Sequence, residues 1–318
     1  MAAIWVCPGK PPRRRGGSHK KQRDAAIIGE FLPTQQVHAM TSTQTTASDT
    51  ITFIGGGNMA RSLIGGLVAR GTAPSDIRVA EPVAELRQGL ADKFGVQAFE
   101  TAAEAVQGAA LWVFAVKPQV MRGVCESLAA AAQVQRPLAV SIAAGITAGQ
   151  LARWLGGAAA VVRAMPNTPS MLGAGVTGLF ASPEVDATGR ARTEALLSSA
   201  GPTVWIEDEA QMDAVTAVSG SGPAYVFLLA EAMEAAGIAQ GLPAEAARTL
   251  TLQTILGAAR MLTESDEAPA ELRRRVTSPN GTTQAAIETF QAGGLEALTA
   301  KAIAAAARRG GELSAAND

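Results

Sequence analysis

Ile51-Thr52-Phe53-Ile54-Gly55-Gly56-Gly57-Asn58-Met59-Ala60 sets a four-residue β run, a glycine turn and the start of a helix side by side. Beyond it, Leu63, Ile64, Leu67 and Val68 recur at helical spacing until Gly71 ends the run. Gly55-x-Gly57-x-x-Ala60 in this strand–turn–helix setting is the pattern of a dinucleotide-binding βα turn. Gly55 allows the tight turn, Gly57 lets a pyrophosphate approach the backbone, and Ala60 lets helix and strand pack closely.

The same alternation continues downstream. Residues 77–80, 111–116, 138–142 and 160–164 read as strands separated by helical stretches, which implies a Rossmann-type, doubly wound parallel sheet. Residues 175–180 and 203–206 are expected to add edge strands. After Asp208 the β signal disappears and the chain becomes rich in Ala, Leu, Glu and Arg, which favour helix. Helix starts are visible at Pro223, at Pro243 and after Pro269, and Gly293-Gly294 separates the last two helices. Leu252, Ile255, Leu256, Ala259 and Leu262 form one apolar face among several, more than a single chain of this size buries; that points to a helical dimer interface. The predicted organisation is α/β: a basic and polar tail over 1–48, a Rossmann domain over 49–208, and an all-α dimerisation and substrate-binding domain over 209–318.

Charge and composition exclude several classes. The chain has 318 residues and net charge −1, but its first 40 residues carry seven Lys/Arg against Asp24 and Glu30. The body is therefore acidic, which argues against nucleic acid as a partner. Residues 1–48 are expected to be disordered, with the translation start open between Met1 and Met40. Two cysteines, Cys7 and Cys125, exclude a disulfide framework and fit a cytoplasmic protein. No apolar run approaches a membrane span.

What the body lacks narrows the chemistry. Both histidines, His19 and His38, lie in the tail, so the body offers no His general base and no His-ligated metal site; no metal is expected. Its only tyrosine, Tyr225, has Leu229 four residues on, so no Tyr-x-x-x-Lys pair exists. Reduction of a C=N bond suits this inventory: once the imine nitrogen is protonated, hydride attack needs orientation, a hydrogen bond and anion ligands. Ser278-Pro279-Asn280-Gly281-Thr282-Thr283-Gln284 supplies such ligands, because backbone N–H groups of a turn and helix start converge on an anion without a charged side chain. Glu81, at the end of the second strand, is placed to bond a ribose 2′-hydroxyl and would repel a 2′-phosphate. Glu81 could instead turn outward before Pro82, with Arg78 or Arg87 serving a phosphate. Both NADPH and NADH stay open.

At these residues the chain resembles the pyrroline-5-carboxylate reductase family. The likeness is carried by residues 53–59, by Ala115-Val116-Lys117-Pro118-Gln119, by Met165-Pro166-Asn167-Thr168-Pro169, by 213–225 with its Ser219-Gly220-Ser221-Gly222-Pro223-Ala224-Tyr225 end, and by 277–283, in family order across roughly 50–315. The resemblance implies hydride transfer from NADPH or NADH to 1-pyrroline-5-carboxylate, the last step of proline biosynthesis. It implies cofactor contacts from Ile54, Gly55, Gly56, Gly57, Asn58 and Met59, and from Ala115, Val116, Lys117 and Pro118 in the next βα loop. Ala143 and Ala144 would sit near the nicotinamide. Ser278, Asn280, Gly281, Thr282, Thr283 and Glu209 would meet the substrate, with the Thr283 hydroxyl as the catalytic group on the ring nitrogen. A homodimer is implied, and a decamer of five dimers is open. Asn280-Gly281 stands where many relatives have Gly-Gly; asparagine tolerates the left-handed backbone, so the turn is expected to survive. Two rivals fare worse. A β-hydroxyacid dehydrogenase needs a lysine on an early helix of its second domain, and no lysine occurs between Lys117 and Lys301. A non-catalytic nucleotide sensor leaves the 278–284 turn without a purpose.

Overall fold

The computed structural model describes residues 50–317; the tail reading over 1–48 lies outside the described residues. Eight strands form one sheet: β1 Ile51–Ile54, β2 Ile77–Ala80, β3 Gln97–Phe99, β4 Leu111–Phe114, β5 Leu138–Ser141, β6 Ala160–Met165, β7 Thr177–Ala181 and β8 Thr203–Trp205. Their order is β3-β2-β1-β4-β5-β6-β7-β8. Every pair from β3 to β6 is parallel, and β7 runs antiparallel to β6. Strand order reverses between β1 and β4, which opens a crevice at the carboxyl ends of these two strands.

One expectation fails here. The segment near 175–180 is not an edge: β7 lies between β6 and β8, and β8 and β3 form the edges. The link from β6 to β7 holds only a short 3₁₀ turn, Thr168–Leu172. A parallel return needs a crossover of a dozen or more residues, so this short link forces the antiparallel pairing. The three-residue β3 escaped the sequence reading, being too short for alternation to register.

Two cores lie on the two faces of the sheet. In β4, Leu111 and Val113 join one core, while Trp112 and Phe114 join the other. The first core is completed by helix α1 (Asn58–Ala69) through Ala60, Leu63, Ile64 and Leu67. Between β2 and β4 come α2 (Ala84–Phe94) and α3 (Ala102–Ala105); α4 (Pro118–Gln135) and α5 (Ala148–Trp154) cover the second face through Met121, Cys125, Leu128, Leu151 and Trp154. Burial on both faces explains why these strands read as unbroken apolar runs rather than alternating ones.

After α6 (Ala187–Leu197) and β8 only helices follow. Helix α7 (Met212–Val215) passes through a π-helical turn, Thr216–Gly220, directly into α8 (Gly222–Ala239), so the glycine-rich stretch bends the chain without breaking it. Then come α9 (Ala244–Glu264), α10 (Pro269–Arg275), α11 (Thr282–Ala292) and α12 (Leu295–Ala316). Helix α12 returns to the sheet: Gln150 Nε2 donates to the Ser314 carbonyl at 3.0 Å, and Asn317 Nδ2 to that of Gly145 at 3.1 Å. Helices α8, α10 and α11 bury no side chain within the chain, and Phe227 and Leu228 are 61% and 67% exposed. Among the described residues no helix is long and apolar enough to cross a membrane.

Candidate active site

Three loops meet at the carboxyl ends of β1, β4 and β5. In the first, Gly55 has φ +102°, and a Cβ there would lie 2.7 Å from the Ala115 carbonyl oxygen. Both facts require glycine. Gly55 N donates to the Ala80 carbonyl at 2.9 Å, and Ala115 N to that of Ile54 at 2.8 Å, locking the glycine turn between its neighbours. A Cβ on Gly56 would strike Leu90, whereas one on Gly57 would meet nothing within 4 Å. Gly57 is thus the open face of the turn. It is also the N-cap of α1, where no side chain caps the helix and no acid stands in the first turn. An exposed, uncapped helix start beside a glycine turn fits a dinucleotide pyrophosphate.

The other predicted cofactor residues gather around this point. Ile54 is buried, Asn58 is exposed and Met59 half-buried, so Ile54 offers only its backbone. Ala115, Val116, Lys117 and Pro118 form the β4–α4 loop, with exposed Lys117 as N-cap of α4. Val116 Cγ1 lies 3.0 Å from where a Gly55 Cβ would stand. Ala143 and Ala144 follow β5, half-buried, with Ala143 N donating to Ser141 Oγ at 3.3 Å. Glu81 is turned inward: Oε2 accepts from Gly56 N at 3.1 Å and Oε1 from Val83 N at 3.0 Å. Arg78 and Arg87, the alternative phosphate ligands, both donate to backbone carbonyls, Arg78 to Gln107 and Arg87 to Glu81 and Pro82.

The 278–283 turn stands apart from these loops in the helical half. Gly281 N donates to the Ser278 carbonyl at 3.0 Å, and Asn280 N to Gln284 Oε1 at 2.7 Å. Asn280 has φ +59°, the left-handed backbone that asparagine tolerates. Gly281 is the N-cap of α11, again without a side-chain cap, so Thr282 and Thr283 form the first turn of an open helix start. Thr283 does not cap the helix. Glu209 is not grouped with this turn. Its Oε1 accepts from Arg163 Nη1 at 2.8 Å and from Ala148 N at 2.7 Å, fastening the start of the helical half to β6 and α5.

Two residues outside the predicted set organise the seam between sheet and helices. Asn167 Nδ2 donates to the Ser219 carbonyl at 3.1 Å, and its Oδ1 accepts from Val176 N at 3.1 Å. Tyr225 Oη donates to the Ala217 carbonyl at 3.0 Å, a second hydrogen bond to the π turn. π turns of this kind are frequent at functional sites. Arg163 was legible as a single charge inside the apolar run 160–165; the Asn167 bridge had no local signal.

Two family models match separate stretches of the chain. Residues 209–313 match a family described as pyrroline-5-carboxylate reductase dimerisation, and 50–145 one described as NADP oxidoreductase coenzyme F420-dependent. A pyrroline-5-carboxylate reductase of Pseudomonas aeruginosa is 54% identical over 264 residues, 83% of this chain and 96% of that protein. The structure of such a reductase from Coxiella burnetii superposes with a TM-score of 0.81 at 42% identity, covering 84% of this chain and 99% of that one. A Plasmodium falciparum pyrroline carboxylate reductase solved with NADP bound gives 0.73 at 26% identity, covering 83% and 98%. The chain belongs to the pyrroline-5-carboxylate reductase family.

Proposed function

We propose that this protein reduces 1-pyrroline-5-carboxylate to L-proline, the last step of proline biosynthesis. Bound NAD(P)H supplies the hydride. The α1 helix start, Gly55 to Gly57 and the 115–118 loop hold the pyrophosphate, Ala143 and Ala144 border the nicotinamide, and Glu81 stands at the adenosine ribose. The turn of Ser278, Asn280 and Gly281 presents the α11 helix start, whose first-turn N–H groups at Thr282 and Thr283 hold the substrate carboxylate. The Thr283 hydroxyl hydrogen-bonds the ring nitrogen and orients the C=N carbon for attack. The nitrogen carries a proton from solvent before the C–H bond forms, so the ring leaves as a neutral-nitrogen amine that protonates in water. No side-chain base is required, in keeping with a body that lacks histidine.

The observation that carries this reading is the pair of uncapped helix starts, α1 behind an open Gly57 and α11 behind Asn280-Gly281. Each is an anion receptor, one on the sheet and one on the helical half. The division into domains over 49–208 and 209–318 follows the same boundary. The exposed apolar faces of α8 and α9, among them Phe227, Leu228, Leu252 and Leu256, call for a second copy of the chain. We infer a cytoplasmic homodimer in which the 278–283 turn of one subunit meets the cofactor loops of its partner. Assembly of five such dimers is the larger state to look for. The test is loss of nicotinamide absorbance with the cyclic imine and each reduced cofactor; tight cofactor binding without turnover would favour a sensor instead.

A further inference from the structure

Glu81 closes β2 at the level of the glycine turn and is only 7% exposed. Its two oxygens are fixed by the backbone, Oε2 by Gly56 N at 3.1 Å and Oε1 by Val83 N at 3.0 Å. A carboxylate has about four acceptor sites, so each oxygen keeps capacity for a further donor. The first bond ties the carboxylate to the turn proposed for the pyrophosphate, the place where a dinucleotide's adenosine ribose would follow. There it is a ready acceptor for a 2′-hydroxyl and a fixed negative charge against a 2′-phosphate, which carries about −1.5 to −2 at neutral pH.

The cations that could reverse this preference are turned elsewhere. Arg78 donates through Nη1 to the carbonyls of Gln107 and Ala105. Arg87 donates to the carbonyls of Glu81 and Pro82, and its Nη2 pairs with Glu100 at 3.5 Å. Arg61, on the first turn of α1, donates Nε to the Gly56 carbonyl at 3.0 Å and Nη2 to that of Leu86 at 3.1 Å. All three guanidinium groups brace the loops rather than form a receptor for phosphate. Freeing any of them breaks loop hydrogen bonds, and Glu81 would still oppose the ligand.

We propose that Glu81 makes this enzyme select NADH over NADPH. The inference rests on the proposed reductase reading and adds to it a selectivity-determining residue. Calorimetric titration of the full-length protein with NAD⁺, NADP⁺, ADP-ribose and 2′-phospho-ADP-ribose tests it without the imine. The unphosphorylated member of each pair is expected to bind at least tenfold tighter. Glu81→Gln retains a carbonyl acceptor and removes the charge; it should narrow that gap tenfold or more by strengthening NADP⁺ binding. The kcat/KM ratio for NADH against NADPH should fall in parallel. A wild-type protein that binds NADP⁺ as tightly as NAD⁺ overturns the inference while leaving the reductase reading intact. So does a Glu81→Gln variant that weakens both dinucleotides equally with a lowered Tm, which would make Glu81 a loop brace alone. Binding of neither dinucleotide would remove the cofactor site itself.

Discussion

Asn167 Nδ2 and the Ser219 carbonyl, 3.1 Å apart, join the β6–β7 loop of the sheet to the π turn that begins the long helices. Asn167 is buried and also accepts from Val176 N, so one side chain satisfies a donor 9 residues on and an acceptor 52 residues on. Asn167→Ala leaves both backbone groups without this partner and should cost about 1–3 kcal/mol in urea unfolding. Asn167→Asp keeps the acceptor for Val176 and loses the donor, so it should fall between wild type and alanine. Equal stability of all three would dissolve the bridge.

Arg163 and Glu209 make the second tie across the same seam, at 2.8 Å, with the arginine side chain 8% exposed. Glu209→Ala strands a buried guanidinium and is expected to destabilise by about 3–5 kcal/mol at most, less to the extent that water reaches the partly exposed glutamate side. Arg163→Met combined with Glu209→Leu should recover much of that loss, because it removes both charges together. A double variant no better than Glu209→Ala would contradict this account of the pair.

Thr283 lies in the first turn of α11 and caps nothing. Thr283→Ala should therefore lower kcat/KM by about one to two orders of magnitude while Tm barely moves. Thr283→Ser, which keeps the hydroxyl, should retain most of the activity. A large loss of Tm in the alanine variant would assign Thr283 to folding instead.

Cys125 is buried under the sheet, and burial pushes its thiol pKa up from 9.0 to about 12, with Glu126 adding to the rise. An acid whose folded pKa is raised keeps its proton in the native state longer than in the unfolded chain. Its contribution is complete below about pH 9 and is lost as pH climbs from 9 towards 12. In a Cys7→Ser background, iodoacetamide should label Cys125 only after denaturant is added. Rapid labelling of the native protein would contradict this burial.

The parts of the molecule that were legible in the sequence are those set by local rules. The strand–Gly55–Gly57–helix stretch, the helix starts at prolines and the tolerance of Asn280 for positive φ all follow from backbone preferences of a few neighbours. The interior, antiparallel place of β7 did not follow, because its direction depends on the length of the 166–176 link rather than on strand composition. Glu209 is expected at the substrate through resemblance; its ties to Arg163 and Ala148, partners distant in sequence, had no local signal. Asn167 and Tyr225 stand in recognisable blocks, but their hydrogen bonds to Ser219 and Ala217 depend on a π turn that no local pattern announces.

The most direct measurement follows the transferred hydrogen. Incubation of the protein with 1-pyrroline-5-carboxylate and nicotinamide cofactor deuterated on the transferring face of C4 should give proline carrying one deuterium at C5 by mass spectrometry. Proline without deuterium, or cofactor that is bound and never oxidised, would contradict hydride transfer to a ring held by the 278–283 turn.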